Sequence, residues 1–498
     1  MIRDEVAGVV FPASADGRRS TSAVGRAVVA DALRQVDPAG ALAAEHDTDW
    51  RTGYLVHFRR LVEAGLASKD AAVSVARGGL DSVHRQMRVV DHGEETEFGS
   101  LLSAPAQRLV ATVTVPGSGE AESELSLPYH GERLRGSALL RRLDMWAEGG
   151  VIEPSCADAV RTVAAHPQWL RLPGRTVVAL GAGAEVGPVP VLLSWGAQVI
   201  AIDLPRPAIW ERLVDTARRS GGTLLVPVAD DKPGRHQPGG SDQVITQRAG
   251  LDLLSDVPAI AGWLAAVDGP LVLGNYVYAD GASNVRLAAA ADALTVRLQA
   301  SRGDVALAFL ATPTDVFAVP AEAVTQAARA YATRSPASKL AGGTLRTLSG
   351  GRLLRRAYTP GADPGINDSL VAQQGPNYAL AKRMHRWRAT LARDSGASVS
   401  MNVAPPSRTR SVVKNRALAA AYAGAYRFGV EVFEPATCKV LMAALLVHDL
   451  HTGGGPAHAH PWQDEAHQAA HGGLWRIAYA PRSALALAAA LGYATARK

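Results

Sequence analysis

A tyrosine and a lysine lie four residues apart in the segment Tyr378-Ala379-Leu380-Ala381-Lys382. On a helix, this spacing places both side chains on one face. An ammonium group beside a phenol stabilises the phenolate and lowers the pKa of the tyrosine. A tyrosine tuned in this way can exchange a proton with a hydroxyl or a carbonyl near neutral pH. Because such a pair also occurs by chance in long chains, its meaning depends on the elements that position it.

The composition indicates a globular protein that buries a sizeable core. Of its 498 residues, 47% are hydrophobic and 20% are charged, and the length predicts two or three domains. The formal net charge is +6, but the basic residues are dispersed along the chain. A surface that contacts phosphates usually needs clustered lysine and arginine, so nucleic-acid binding is not expected.

Targeting and redox signals favour the cytoplasm. The acidic residues near Met1 do not match a signal peptide, and the apolar run at 440–447 is too short to span a bilayer. The two cysteines, Cys156 and Cys438, suggest no disulfide framework. We therefore expect a cytoplasmic protein without a membrane span.

Residues 1–165 predict a separate accessory domain of mainly helical α+β structure. Helical patterns dominate, and a β-hairpin with strands at 109–115 and 122–127 is predicted around the turn residues at 116–119. No chemical motif occurs in this region. Its expected role is structural, as a substrate lid, an oligomer contact or a docking surface.

Residues 170–498 predict a Rossmann-like domain with an insertion near residues 320–366. From Arg175 onward, short apolar strands alternate with helices. Strands that are nearly continuous apolar runs favour a parallel sheet covered on both faces, and right-handed crossovers then give a doubly wound α/β fold. The predicted strands are 176–180, 198–202, 223–228, 270–278 and 305–311.

Three glycines follow the first of these strands and open a helix: Gly181, Gly183 and Gly187. Such a turn lets the backbone approach a pyrophosphate, which a helix N-terminus attracts. Asp203 ends the next strand, where an acid can accept hydrogen bonds from ribose hydroxyls. Its charge favours NAD over NADP, although Arg206 counteracts that preference. Asp230, after the third strand, could reach the adenine edge. The alternative is a tight turn with exposed acids.

Further elements are similar in order and spacing to those of one family: residues 271–275, Asn284, the Tyr378/Lys382 pair, residues 398–406, Thr409 and residues 472–479. The first of these segments ends in Asn275, and the segment 398–406 is similar to a strand and loop beside a nicotinamide. The segment 472–479 is similar to a last strand. Residues 174–485 thus resemble the short-chain dehydrogenase/reductase superfamily, as a divergent member with an extra N-terminal region.

The resemblance implies a function and roles for these residues. The function is hydride transfer between NAD, or else NADP, and a carbonyl or secondary alcohol of a small molecule. Tyr378 would be the general acid or base, and Lys382 would tune it and hold the nicotinamide ribose. Thr312, or else Thr314, would orient the carbonyl, and Asn284 would anchor a water. The residues implied beside the cofactor are Asn275, Pro405 and Thr409. A homodimer or homotetramer is the family habit.

Departures from the family pattern keep other functions open. Glu185 stands where the family usually has a glycine, and Pro188 and Pro190 lie in the first helical turn. The family loop has Pro-Gly where this chain has Pro405-Pro406. The first alternative is an epimerase or dehydratase that retains NAD. The second is a binding or structural protein that holds the cofactor poorly.

Six histidines lie between residues 448 and 471, and two of them, His467 and His471, would be one helical turn apart on a helix. That spacing can bind zinc. The glycines at 453–455 instead favour a solvated loop, which could lie over the substrate pocket. The loop is the preferred interpretation, and no metal is predicted.

Overall fold

The computed structural model describes residues 7–106, 108–230, 241–454 and 458–493. The chain begins with a helical region that contains a small antiparallel sheet of three strands. Helical patterns at 23–36 and 49–67 predict two of its helices, and three more were not predicted, at 38–45, 69–86 and 100–103. The elements are β1 (Gly8–Val10), α1 (Thr21–Leu33), α2 (Pro38–Glu45), α3 (Trp50–Gly65), α4 (Lys69–Gln86), β2 (Arg88–Asp91), β3 (Glu94–Glu97) and α5 (Ser100–Ser103).

The next segment contains β4 (Leu109–Pro116), β5 (Leu127–Tyr129), β6 (Glu132–Leu134), α6 (Gly136–Glu148) and α7 (Pro154–Ala165). The predicted hairpin is wrong, because β4 pairs antiparallel with residues 223–230 rather than with residues 122–127. The edge of that distant strand offers unpaired N–H and C=O groups, and β4 satisfies them.

The elements that carry the main sheet follow in regular alternation. They are β7 (Thr176–Leu180), α8 (Val189–Ser194), β8 (Gln198–Ile202), α9 (Pro207–Arg218), β9 (Thr223–Asp230), α10 (Asp242–Arg248), α11 (Val257–Ala265), β10 (Leu271–Asn275), α12 (Ala282–Ser301) and β11 (Val305–Ala311).

The remaining elements begin with an antiparallel strand pair, and two helices lie between its strands in the sequence. The last elements are mainly helices. In order, the remaining elements are β12 (Val316–Val319), α13 (Ala321–Ala332), α14 (Pro336–Leu348), β13 (Gly365–Asp368), α15 (Gly375–Asp394), β14 (Val399–Val403), α16 (Arg410–Lys414), α17 (Arg416–Gly424), α18 (Pro435–His451), α19 (Pro461–Ala466) and α20 (Pro481–Tyr493). Short 3₁₀ segments lie at 167–171, 372–374 and 425–428.

The main sheet has seven strands in the order β14-β11-β10-β7-β8-β9-β4, and all neighbours except β4 are parallel. The parallel strands therefore have the doubly wound order 3-2-1-4-5-6 of Rossmann folds. This confirms the predicted fold class. The chain reverses its winding direction between β7 and β10, and ligands of such sheets bind at this point, beyond the carboxyl ends of the strands.

Side chains alternate between the two faces of the sheet, as strand geometry requires. In β7, Val178 and Leu180 join the core beneath α11, α12 and α15, whereas Val177 and Ala179 join the core beneath α8, α9 and α18. The N-terminal helices pack against α12 and α15, so they share the first of these cores. In the ranges given above, every helix is too short or too polar to traverse a lipid bilayer.

The predicted last strand at 472–479 is wrong. Gly472 and Gly473 adopt positive φ angles of 63° and 94°, which turn the chain instead of extending it. The turn buries Trp475, whose ring packs 5.3 Å from that of Phe317. Packing of this tryptophan beside the β12–β13 pair replaces the expected strand.

Candidate functional site

A cavity of about 1210 Å³ lies at the carboxyl ends of the parallel strands, where the winding direction reverses. Its walls come from the residues that end or directly follow the strands, because parallel strands all end at one edge of the sheet. It brings together ten of the residues named from the sequence: Gly181, Gly183, Asp203, Asn275, Thr312, Thr314, Tyr378, Lys382, Pro405 and Thr409. Gly187 and Asn284 do not line it.

The glycine turn after β7 is built as a close cradle. Gly181 has a φ of +74°, and a Cβ there would lie 3.0 Å from Cα of Val277 on the neighbouring segment. A Cβ at Gly183 would lie 3.2 Å from both Oδ2 of Asp203 and Cγ2 of Ile209. Larger residues would strain the first position and fill the space at the second.

Asp203 fastens this turn to the end of β8. The N–H of Gly183 donates to its Oδ2 and the N–H of Leu204 to its Oδ1, both at 2.8 Å. The carboxylate also lines the cavity, so its remaining lone pairs are available to ribose hydroxyls. Arg206 lines the same end of the cavity.

The start of α8 departs from the predicted turn. The helix begins only at Val189, so Gly187 lies within the connecting turn, where its N–H donates to the carbonyl of Ala184. Pro188 and Pro190 supply no N–H groups to the first turn. The Glu185 carboxylate accepts a hydrogen bond of 2.9 Å from the N–H of Arg410 and thus ties the turn to the start of α16.

Tyr378 and Lys382 lie on α15, one turn apart, and both line the cavity. The Tyr378 hydroxyl hydrogen-bonds to Thr312, the residue that follows β11. The Thr312 hydroxyl lies 2.9 Å from that of Thr314, and the Gln374 amide donates to Thr314 at 2.6 Å. A hydroxyl chain therefore leads to the phenol from the end of β11.

Burial sets the protonation of this pair. It raises the pKa of Tyr378, and the hydrogen bond from Thr312 only partly offsets it. Burial also lowers the pKa of Lys382 to about 8. The Lys382 ammonium donates to the carbonyl of Leu310 at 3.4 Å. The predicted lowering of the tyrosine pKa is therefore wrong in direction, because desolvation outweighs the lowering effect of the hydrogen bond from Thr312.

The other predicted residues lie at the margins of the site. Asn275 is buried at the end of β10, and its Oδ1 accepts from the N–H of Val277. Asn284 is buried on α12, where its Oδ1 accepts from the N–H of Ala279 at 3.2 Å. Thr409 directly precedes α16 and shares a hydrogen bond with Ser411. Asp230 ends β9, and its side chain lies outside the described part of the structure.

Sequence reasoning missed three tyrosines of the cavity, Tyr276, Tyr278 and Tyr422, and the last two lie near Tyr378. The ring of Tyr278 meets that of Tyr378 edge-on at 6.3 Å between centroids. The pKa of Tyr422 is raised by burial and, to a smaller extent, by the nearby phenol of Tyr378. Tyr422 comes from α17, far along the chain, and no local motif marks it. Its position depends on how α17 folds over the site.

A buried ion network holds α15 in place. Asp315, which directly follows the Thr312–Thr314 segment, pairs with Arg383 and Arg386 at 2.7 Å each. Arg386 also forms a bidentate pair with Glu465 at 2.6 and 2.7 Å. Burial raises the pKa of Asp315, but the two guanidinium groups outweigh it and hold that pKa below its ordinary value. The network thus joins the end of β11 to the helix of Tyr378.

The histidine-rich segment is not the predicted solvated loop throughout. His467 follows the end of α19, so His467 and His471 are not one helical turn apart. His471 is fully buried, and its Nε2 lies 2.9 Å from Oε1 of Glu153. Arg476 completes this buried cluster by pairing with the same carboxylate. In the described ranges, no three His, Cys, Asp or Glu residues are grouped so as to hold a metal ion.

Comparisons with known proteins found one distant structural similarity. No protein-family model and no curated protein matches the chain. Among solved structures, the chain is similar to a thiolation-reductase di-domain from an archaeal non-ribosomal peptide synthetase, with 12% identity and a TM-score of 0.27. The match covers 50% of this chain and 47% of that chain. A function for this protein therefore has to come from the residues around its own cavity.

Proposed function

We propose that the protein is an NAD(P)-dependent oxidoreductase that transfers hydride between nicotinamide and a carbonyl or secondary alcohol. The observation that carries this proposal is the convergence of Tyr378, Thr312 and Lys382 in one cavity with the glycine cradle and Asp203. A proton donor, its hydroxyl partner and a nucleotide-type turn share the edge of a doubly wound sheet, the usual ligand position of such sheets.

The residues at the nucleotide end fit a dinucleotide. Gly181 and Gly183 form the cradle that a Cβ would fill, and Asp203 offers carboxylate lone pairs to ribose hydroxyls. Lys382 and Asn275 also line the cavity, and Lys382 would hold the nicotinamide end. When bound there, NAD(P)H supplies the hydride. The site residues then have to bind the substrate oxygen and deliver a proton.

The protonation state favours reduction. Because its pKa is raised, Tyr378 keeps its proton at neutral pH and can donate it to the carbonyl oxygen as the carbon gains hydride. The carbonyl would thereby become an alcohol. Thr312 holds the phenol by their hydrogen bond, and solvent returns the proton to Tyr378. Lys382, which is charged below about pH 8, stabilises the phenolate formed in this step.

A second candidate is a binding protein that holds the cofactor poorly. The late start of α8 and its two prolines favour it, because they remove N–H donors where a pyrophosphate would need them. Glu185 adds a negative charge to the same turn, although its carboxylate is engaged by the N–H of Arg410.

Titration of the protein with NADH and NADPH separates the two candidates. We expect saturable NADH binding with a Kd below about 1 mM, since enzymes commonly have affinities between about 1 μM and 1 mM. NADPH should bind more weakly, because its 2′-phosphate meets Asp203. Gly183→Leu is the variant that should abolish binding, since its side chain fills the space between Asp203 and Ile209. No binding of either nucleotide up to millimolar concentration would favour the binding protein.

The activity should depend on pH through Lys382. Its pKa of about 8 lies below the ordinary lysine value, so the ammonium is present below that pH and is lost above it. Tyr378 stays protonated over the same range, because its pKa is raised. We expect kcat/KM for reduction to fall about tenfold per pH unit above about pH 8. Lys382→Arg should move this fall beyond pH 10, because arginine keeps its charge. An unchanged profile in that variant would assign the fall to another group.

A further inference from the structure

A second cavity adjoins the proposed active site. It has a volume of about 70 Å³ and shares a wall with the larger cavity, formed by Thr314, Val371, Pro406 and Tyr422. Thr314 is linked to Thr312 by a hydrogen bond, and Thr312 contacts the phenol of Tyr378. A substituent that extends from a carbonyl bound at these hydroxyls would therefore meet the second cavity next.

Two closely packed helices form the outer wall of this cavity. Gly424 of α17 and Gly492 of α20 approach the backbone of the opposite helix so closely that a Cβ on either would overlap with it. Most side chains that face the cavity from these helices and the adjoining segments are apolar, among them Ala421, Phe428, Ile477, Leu485 and Ala488. The close contact of the two helices fixes the space between these side chains.

Several polar groups in the wall already have partners. The Thr314 hydroxyl accepts a hydrogen bond from Gln374 at 2.6 Å, and the Ser369 hydroxyl donates to Asn367 at 2.5 Å. The Arg482 guanidinium forms an ion pair with Asp368. The cavity therefore offers mainly hydrocarbon, and burial of apolar surface would be the main source of binding energy. One donor, Nε of Arg482, is buried without a partner in the described residues.

We propose that this cavity binds the aliphatic substituent of the substrate, which makes the substrate an aliphatic ketone or aldehyde. Its carbonyl would lie beside Thr312 and Tyr378, and its tail would pass Thr314 and Tyr422 into the apolar space. A group the size of a water molecule occupies roughly 10–15 Å³ in this measure of volume. The cavity therefore holds a tail of about five to seven carbon-sized groups. The reacting carbonyl in this assignment rests on the proposed function. The binding of an aliphatic group in the second cavity does not.

Linear primary amides from butanamide to decanamide test the tail directly, because they carry a carbonyl but do not react. Their binding to the full-length protein is measured by calorimetry, with and without NADH. We expect affinity to rise about fourfold for each added methylene until the cavity is full, and then to level off. Affinity that does not depend on chain length would overturn the proposal. Tighter binding of the monoamide of adipic acid than of hexanamide would also overturn it, in favour of an anion at Arg482.

Two variants should shift the optimal length in opposite directions. Ala421→Leu adds volume to the cavity wall and should shorten the tail at which affinity levels off. Leu485→Ala removes volume and should lengthen it by about two carbons. Leu491→Ala, on the exposed side of α20, is the matched control and should leave the length profile unchanged. A longer optimum cannot arise from misfolding, so an unshifted profile in both cavity variants would contradict the assignment.

The amide titration and the nucleotide titration test the two proposals independently. Length-dependent amide binding without NADH or NADPH binding would retain the apolar cavity and refute the oxidoreductase. NADH binding with a flat amide series would retain the oxidoreductase and refute the aliphatic substrate. Each result therefore identifies which of the two proposals is wrong.

Discussion

Tyr378→Phe should lower kcat/KM for carbonyl reduction by about 10²–10⁴-fold, the usual contribution of a positioned general acid. The substitution removes the hydroxyl that hydrogen-bonds to Thr312 but keeps the ring that packs edge-on against Tyr278. The Kd for NADH should stay nearly unchanged, because the substitution leaves the glycine turn and Asp203 as they are. Steady-state kinetics together with nucleotide titration measure both quantities.

Tyr426→Phe is the control for this substitution. Tyr426 is 61% exposed and lies outside the cavity, so loss of its hydroxyl should leave activity and nucleotide binding as they are. Full activity in Tyr378→Phe would remove this residue from proton transfer. In that case Tyr422, whose phenol lies near that of Tyr378, would be the next donor to replace.

Asp315→Ala should reduce the free energy of unfolding by about 3–5 kcal/mol, because it leaves buried guanidinium groups without their counterion. Arg383 would lose its only ion-pair partner in the described structure, whereas Arg386 would keep Glu465. Chemical denaturation followed by circular dichroism measures the loss. Asp315 also joins the end of β11 to α15, so the remaining folded protein should hold Tyr378 less firmly and turn over more slowly.

Asp215→Ala provides the matched control for a surface ion pair. Asp215 of α9 pairs with Arg219, the residue that follows this helix, and both side chains are more than half exposed. Such pairs contribute at most about 1 kcal/mol, so the denaturation midpoint should hardly move. If Asp315→Ala cost no more than this control, Arg383 would have another acceptor and the buried network would not stabilise the helix.

The main sheet could be predicted from the sequence because its strands are local apolar runs. The bounds predicted for 176–180, 198–202 and 305–311 agree with the structure, since each of these strands is buried on both faces. The strand at 109–116 was located correctly but given the wrong partner. Its alternating pattern suits any antiparallel neighbour, and the true neighbour lies more than 100 residues away.

The candidate site was predictable only in part. The spacing of Tyr378 and Lys382 indicated one helix face, and the structure places both in one cavity. The direction of the tyrosine pKa shift depends on burial by distant segments, so the motif alone gave the opposite sign. The contact of Glu185 with Arg410 joins residues 225 positions apart, and local patterns do not contain such information.

The pairing of β4 with β9 has a consequence for synthesis of the chain. Residues 109–116 leave the ribosome long before residues 223–230, and β7 and β8 are made in the interval. During this interval β4 has no hydrogen-bond partner in the main sheet. A long segment of chain separates β4 from β9, and bringing its two ends together costs conformational entropy. The last step on this side of the sheet is therefore the return of an early segment to a late one. Until then β9 is an open edge that could pair with another chain.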